Sequence, residues 1–347
     1  MTEATVVTAT WLTAKVEQIF AALGYSTAAA RTVAESLVEA DLRGVASHGV
    51  LLVPMYVERI QRGSVSLRES AQVLFESGAV ATLDAHHALG VLTGDQAMRL
   101  ATEKALRYGI GAVTVRHAFH FGAAFRYARA AADAGCVGLA AANTRPLMPA
   151  PGGARAVVGN NPLAIAVPGP DRPSVIVDMA LSEAALGKIR LAAQEERDIP
   201  ATWATTADGE STTDPVAALA GMLLPSGGPK GYGLALMIDV LTGVLSGGAF
   251  GSGVRGLYAD TAVPNNCAHF FLAIDPAAFG APEVFARNAL RLATEIEGSP
   301  TRPGVDRVHL PGQLEQERAE TAAREGIRLD GSVLAALHKA AESVGAS

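Results

Sequence analysis

His48 stands in Arg43-Gly44-Val45-Ala46-Ser47-His48-Gly49, with Val50-Leu51-Leu52-Val53-Pro54-Met55-Tyr56 behind it. Imidazole gains and loses a proton near neutral pH, so a histidine where a small-residue turn meets a new apolar segment is a candidate acid or base. A histidine beside glycine is more often a cap or a core residue, and one titratable group makes no mechanism. Other polar strings must therefore converge on it. Adjacent side chains seldom face one another for nucleophilic attack, which leaves Ser47 as a substrate contact rather than a nucleophile. His117 and His120 have the spacing of two metal ligands, but they fall in a strand-to-helix loop with no acidic third ligand nearby, and no metal is expected. Asn143-Thr144-Arg145 and Asn160-Asn161-Pro162 close apolar runs, which puts amide and guanidinium donors at strand ends.

Gly251-Ser252-Gly253-Val254-Arg255-Gly256 has the spacing of a dinucleotide fingerprint. A working copy follows a strand and opens a helix whose N-terminus meets the pyrophosphate. Here the string follows a helix end at Leu245-Ser246-Gly247-Gly248 and runs on towards Pro264, so it is expected as a flexible loop that folds over the site.

These residues need elements to carry them. Residues 11–23 place Leu12, Val16, Ile19, Phe20 and Leu23 at helical spacing, and a second helix runs from about Thr27, its expected N-cap, to Leu42. Both lead into Ser47-His48. A third helix starts near Val50, bends at Pro54 and ends before Gly63. Strands are expected over 73–75, 80–83, 112–115, 137–142, 163–167, 175–179 and 270–274. Helices are expected over 94–108, 123–134 and 231–245, the last as the longest. Residues 190–214 read as a polar excursion and 315–324 as a solvated helix. The pattern predicts an α/β fold with a helical module over 1–70, an α/β core over 71–298 and a C-terminal segment over 299–347.

A chain of 347 residues with 49% hydrophobic composition can bury one large core or two coupled ones. A net charge of -6, with no Lys/Arg run, argues against a nucleic-acid partner, and 5% aromatics provide no platform for bases. No apolar run reaches the length of a membrane span and residues 1–10 lack a basic leader, so a cytoplasmic protein without a membrane partner is expected. The two cysteines, Cys136 and Cys267, fit reduced structural thiols.

Seven strings occur in order: Ser47-His48-Gly49, His120-Phe121-Gly122-Ala123-Ala124, Asn143-Thr144-Arg145-Pro146, Gly159-Asn160-Asn161-Pro162, Asp178-Met179-Ala180-Leu181-Ser182, Gly187-Lys188-Ile189 and Lys230-Gly231-Tyr232-Gly233. Together they resemble the malate/L-lactate dehydrogenase family of the non-Rossmann type, which includes ureidoglycolate dehydrogenase, diketogulonate reductase, sulfolactate dehydrogenase and piperideine/pyrroline-2-carboxylate reductases. The resemblance covers about 11–313. It implies a non-Rossmann, mixed-sheet dinucleotide-binding core, with the C-terminal segment packing back on the helical module, and a homodimer with its cleft between module and sheet. The activity it implies is hydride transfer between NAD or NADP and a small 2-oxo acid, 2-hydroxy acid or cyclic imino acid. His48 would exchange the proton and His120 would line the nicotinamide pocket and share that chemistry. Ser47, Tyr56 and Arg145 would contact substrate. Gly122, Asn161, Asp178, Met179, Ala180, Ser182, Lys230, Gly231, Gly312 and Gln313 would surround the cofactor.

One position departs from the family's Ser-His-Gly-x-x-Arg-x-Pro-x-Tyr: Leu52 replaces the arginine. An apolar side chain cannot fork onto a carboxylate. Either Arg145, or failing it Arg43, supplies the missing cation, or the substrate is larger, less charged or an intermediate of a specialised pathway; in a pocket otherwise like the family's, Leu52→Arg is expected to improve simple 2-oxo acids. If Leu52 marks loss of the site, the alternative is a non-catalytic dinucleotide- or metabolite-binding protein that keeps the fold.

Overall fold

The first layer follows from apolar residues spaced 3.6 apart. In the computed structural model, which describes residues 4–169 and 175–346, α1 (Ala9–Ala22) buries Leu12, Val16, Ile19 and Phe20. α2 (Thr27–Leu42) is capped by Ser26 rather than Thr27: Ser26 Oγ accepts the Ala29 N–H at 3.2 Å, and Thr27 is already helical. Tight 3-10 turns at Ala46–His48 and Val50–Leu52 lead into α3 (Val53–Gln61), whose Pro54 sits in the first turn, where no N–H is required. The far end of the chain completes this module. β1 (Thr5–Val7) pairs antiparallel with β13 (Ile327–Leu329), and α11 (Gly331–Ser343) adds Leu337 and Ala341 to the core that holds Phe20 and Tyr56. α10 (Gln313–Glu325) is solvated, as its composition indicates, and meets α2 where Arg43 Nη2 donates to Gln316 Oε1 at 3.1 Å.

The second layer is a seven-stranded mixed sheet in the order β2 (Gln72–Ser77), β3 (Val80–Asp84), β4 (Ile110–Ala118), β12 (Cys267–Ile274), β5 (Val137–Ala142), β8 (Leu163–Val167) and β9 (Val175–Met179). β3 and β4 run parallel, joined by α4 (Gly90–Tyr108); the other neighbours are antiparallel. β12 enters the middle from a distant part of the chain and is almost wholly buried, in keeping with a sequence that is apolar except for His269. α4 and α5 (Phe125–Asp133) pack on the sheet through alanines. Two short pairs, β6 (Met148–Pro149) with β7 (Ala156–Val158) and β10 (Ala204–Thr205) with β11 (Met222–Leu223), stand outside it.

The excursion after β9 holds α6 (Leu186–Gln194) and α7 (Pro215–Ala220), and α9 (Pro282–Glu297) follows β12. The helix expected over 231–245 differs from its reading. α8 begins at Pro229 and ends at Asp239, where the coil widens into a π-helix over Val240–Val244. The longest helix among the described residues is α4, with 19 residues. Register places Ala118, Ala142, Leu163, Met179 and Cys267 at one end of the sheet. The helical module covers that end, and Tyr56 of α3 bonds His120 across the junction.

Candidate active site

The turn that carries His48 is held from α2. Val50 N–H donates to Asp41 Oδ2 at 2.8 Å, and the carboxyl lies so close over Gly49 that a Cβ there would be 2.1 Å from Asp41 Oδ1. Only glycine fits after His48. Burial pushes Asp41 up to about 7, opposed by the Val50 hydrogen bond. Ser47 Oγ lies 2.9 Å from His48 Nδ1, so the adjacent side chains do face each other, against expectation; the short hydroxyl reaches the ring within the tight turn. His48 stacks on His120, with centroids 5.5 Å apart and planes at 24°. Tyr56 OH lies 2.7 Å from His120 Nδ1. Tyr56 is fully buried, which raises its pKa and keeps the hydroxyl protonated, so it donates to Nδ1 and leaves the proton of neutral His120 on Nε2. Burial, then the His48 and His269 rings, hold His120 down to about 3, and burial lowers His48. β4 delivers His120, and α4 begins beneath it at Gly90, where a Cβ would lie 2.0 Å from Phe119 O.

A second group gathers beyond the end of β9. Ser226 N–H donates to Leu181 O at 2.9 Å and Glu183 N–H to Leu224 O at 2.8 Å, which brings Asp178–Ser182 beside Lys230 and Gly231 in the first turn of α8. A Cβ on Gly231 would lie 2.1 Å from Ser226 O, so that turn can close only on glycine. On the free edge of β9, Ile176 N–H donates to Pro311 O at 3.0 Å and seats left-handed Gly312 at the start of α10. Asp178 Oδ2 accepts the Phe125 N–H of α5 at 2.9 Å, just beyond Gly122, and crowding by protein pushes this carboxyl up to about 6. Two helix N-termini, a lysine, the exposed Met179 and Ala180 and one carboxyl make a donor set that fits the phosphates and ribose hydroxyls of a dinucleotide.

The family model for malate/L-lactate dehydrogenase matches residues 7–338. The chain belongs to that family. A malate dehydrogenase of Pyrococcus horikoshii is 37% identical, covering 94% of this chain and 92% of the relative. An NAD(+) ureidoglycolate dehydrogenase of Escherichia coli O157:H7 is 38% identical over 86% and 85% of the two chains. An NADP(+) (2R)-3-sulfolactate dehydrogenase of Chromohalobacter salexigens is 35% identical over 72% and 75%. The solved sulfolactate dehydrogenase of Methanocaldococcus jannaschii superposes with a TM-score of 0.93 at 33% identity, over 98% of each chain. Fold, family and enzyme class stand as the sequence implies: this is a dehydrogenase of the NAD(P)-dependent kind.

Several family positions turn inward. Ser182 is buried and its Oγ donates to Ala184 O at 2.9 Å. Asn161 has no exposed surface: Oδ1 accepts Thr144 N–H and Nδ2 donates to Ala235 O, both at 2.8 Å. Gln313 is tied to Leu310 N–H and to Glu297. These three brace the cradle, as Tyr56 braces His120, instead of opening into it. His117 and His120 part company: His117 Nδ1 lies 2.9 Å from Asp84 Oδ2, an acid supplied by β3 that the sequence spacing did not reveal, while His120 turns to Tyr56. Among the described residues no group of three His, Cys, Asp or Glu is placed to hold a metal ion.

Arg145 is exposed, and the one side-chain hydrogen bond it makes among the described residues is a long Nη1–H to Pro146 O at 3.5 Å; partial desolvation, then the Arg190 cation, lower its pKa. Arg43 is buried over Phe125 and bonded to Glu39 and Gln316, so it is not free for substrate. Leu52 is 3% exposed and packs in the core of the helical module. An arginine there would bury its guanidinium among apolar side chains, so Leu52→Arg is not the repair that the motif suggests. Two charged residues escaped the sequence reading: Asp41, on the buried stripe of α2, and Arg59, fully buried three residues after Tyr56 on α3. A charge on an apolar helical stripe was the available signal.

Proposed function

We propose that the chain transfers hydride between NAD or NADP and the reactive carbon of a small 2-oxo acid, 2-hydroxy acid or cyclic imino acid, with His48 exchanging the proton. The observation that carries this reading is the stacked His48–His120 pair, tied to Ser47 and Tyr56, at the sheet end that also holds the Asp178–Lys230 cradle. The cofactor, when bound, supplies the hydride. The protein has to orient it and manage one proton. Lys230 and the helix N-termini suit its phosphates, and Asp178 suits a ribose hydroxyl.

Two imidazolium rings at 5.5 Å repel, so one ring at a time carries charge, and His120 is the one held neutral. It donates from Nε2 to the substrate oxygen or nitrogen, while Ser47 orients His48 as the acid. Arg145 takes the carboxylate that Leu52 cannot. The working form is a cytoplasmic homodimer. Oxidation of NADH and NADPH against a panel of 2-oxo acids and cyclic imines tests the reading, with turnover expected on at least one carboxylate substrate. Tight cofactor binding with no turnover on any of them would favour the non-catalytic alternative.

A further inference from the structure

Arg59 is a fully buried cation with no acid paired to it among the described residues. Its guanidinium is satisfied largely by one distant segment. Nε–H donates to Leu257 O at 2.9 Å, Nη2–H to Gly256 O at 3.0 Å, and Nη1–H to Val263 O at 2.9 Å and Ser64 Oγ at 3.2 Å. Ser64 Oγ–H in turn donates to Thr261 O at 2.6 Å, and Arg62 Nη1–H to Thr261 Oγ1 at 2.7 Å. Leu257 packs against the core of the helical module. The tail of the Gly-x-Gly-x-x-Gly string is therefore fastened where the sequence predicts a flexible loop. A buried guanidinium tolerates few arrangements, so this set of carbonyls fixes the register of residues 256–263 on α3, the helix whose Tyr56 holds His120.

Gly256 meets a second arginine. A Cβ built on it would lie 2.9 Å from Arg145 Cδ and 3.4 Å from Arg145 Nε. The stem of Arg145 thus lies against bare backbone, at the residue whose carbonyl Arg59 holds. We propose that Arg59 is a positioning residue for recognition of the substrate anion, and that it acts through Gly256 to set where the Arg145 guanidinium stands. This rests on the reading that Arg145 grips the substrate carboxylate. With its guanidinium making one long hydrogen bond among the described residues, the Arg145 side chain depends on that backbone surface for its position.

Steady-state kinetics on the best 2-oxo acid test the chain of contacts, using Arg145→Ala, Gly256→Ala, the double variant and Arg59→Lys in the full-length protein. Arg145→Ala is expected to raise KM about tenfold or more, and Gly256→Ala about three- to tenfold, with kcat within about twofold and cofactor Kd unchanged. The double variant should match Arg145→Ala alone, because the added methyl acts only by displacing Arg145. Arg59→Lys, whose ammonium cannot span three carbonyls at once, should show the same KM-weighted loss. Gly256→Ala perturbs the other end of the contact and carries the test should Arg59→Lys fail to fold. If Arg145→Ala raises KM and Gly256→Ala does not, or if the Gly256→Ala effect persists undiminished without Arg145, the positioning role is wrong and the anchor role survives. If Arg145→Ala leaves KM unchanged, the anchor reading itself falls.

Discussion

Two histidines stack on one another, and burial acts on them differently. His120 is pressed neutral by its surroundings and fixed in one tautomer by a tyrosine that keeps its proton. His48 is lowered from its ordinary 6.5 by burial. The direction of that shift sets the pH dependence. Burial disfavours imidazolium, so at pH 7 the acid form of His48 is the minority; reduction should quicken as pH falls towards the lowered midpoint, and oxidation, which needs neutral His48, should level off above it. His48→Asn is expected to abolish this limb and lower turnover about 100- to 10,000-fold, with cofactor affinity nearly unchanged. Profiles of kcat/KM in both directions decide it. A limb that survives in His48→Asn would transfer the proton to His120.

At the scale of elements, the turn that carries His48 depends on the end of α2. Asp41 is a carboxyl whose folded pKa, about 7, lies above its ordinary 3.8, so the fold favours its protonated form and is penalised as pH rises from 3.8 to 7. A shift of this size corresponds to about 3–5 kcal/mol. Asp41→Asn keeps an acceptor for Val50 N–H and removes the charge. It should raise unfolding free energy at pH 8 by a few kcal/mol, on the order of that range, and change it little at pH 4; urea unfolding at the two pH values measures both. An Asn variant that is less stable at pH 8 would show that the carboxylate is needed as a charge.

Sequence revealed those elements that bury a regular pattern. β5, β8 and β9 match their expected bounds because five- or six-residue apolar runs closed by turn residues are too short for helices and read as strands. β1 and β13 are three residues each, too short for alternation to show, and their pairing spans the length of the chain. The π-helix at Val240–Val244 leaves composition untouched, so nothing in periodicity announces it. Ser47 was legible as a site residue but its bond to His48 was not, and the Asp84–His117 contact exists only once β3 and β4 pair in register. Family strings pointed to the segments around Asp178 and Lys230, but whether a side chain turns inward, as those of Ser182 and Asn161 do, depends on contacts made by the folded chain.

The molecule as a whole leaves rows of large apolar side chains exposed on two of its helices. Leu234, Met237, Val244 and Leu245 stand 40%, 49%, 49% and 59% exposed along α8 and the π-helix, and Leu292 and Ile296 of α9 stand 60% and 39% exposed, with Ala293 the sole buried residue of that helix. A contiguous apolar stripe of this kind marks a surface that expects a partner. The stripe on α8 begins within two turns of Lys230 and Gly231, so covering it would also steady the turn of the cofactor cradle. A second copy of the chain is the occupant that the family resemblance implies. Sedimentation at micromolar protein should therefore give a dimer. Met237→Glu with Leu245→Glu places two charges on the stripe and should shift the chain to monomer, because a carboxylate buried without a partner in such an interface costs several kcal/mol, about 3–5 by analogy with broken buried pairs. Cofactor affinity and kcat should fall with dissociation. A wild-type chain that sediments as a monomer with full activity, or a double variant that remains dimeric, would place the subunit contact elsewhere or remove it.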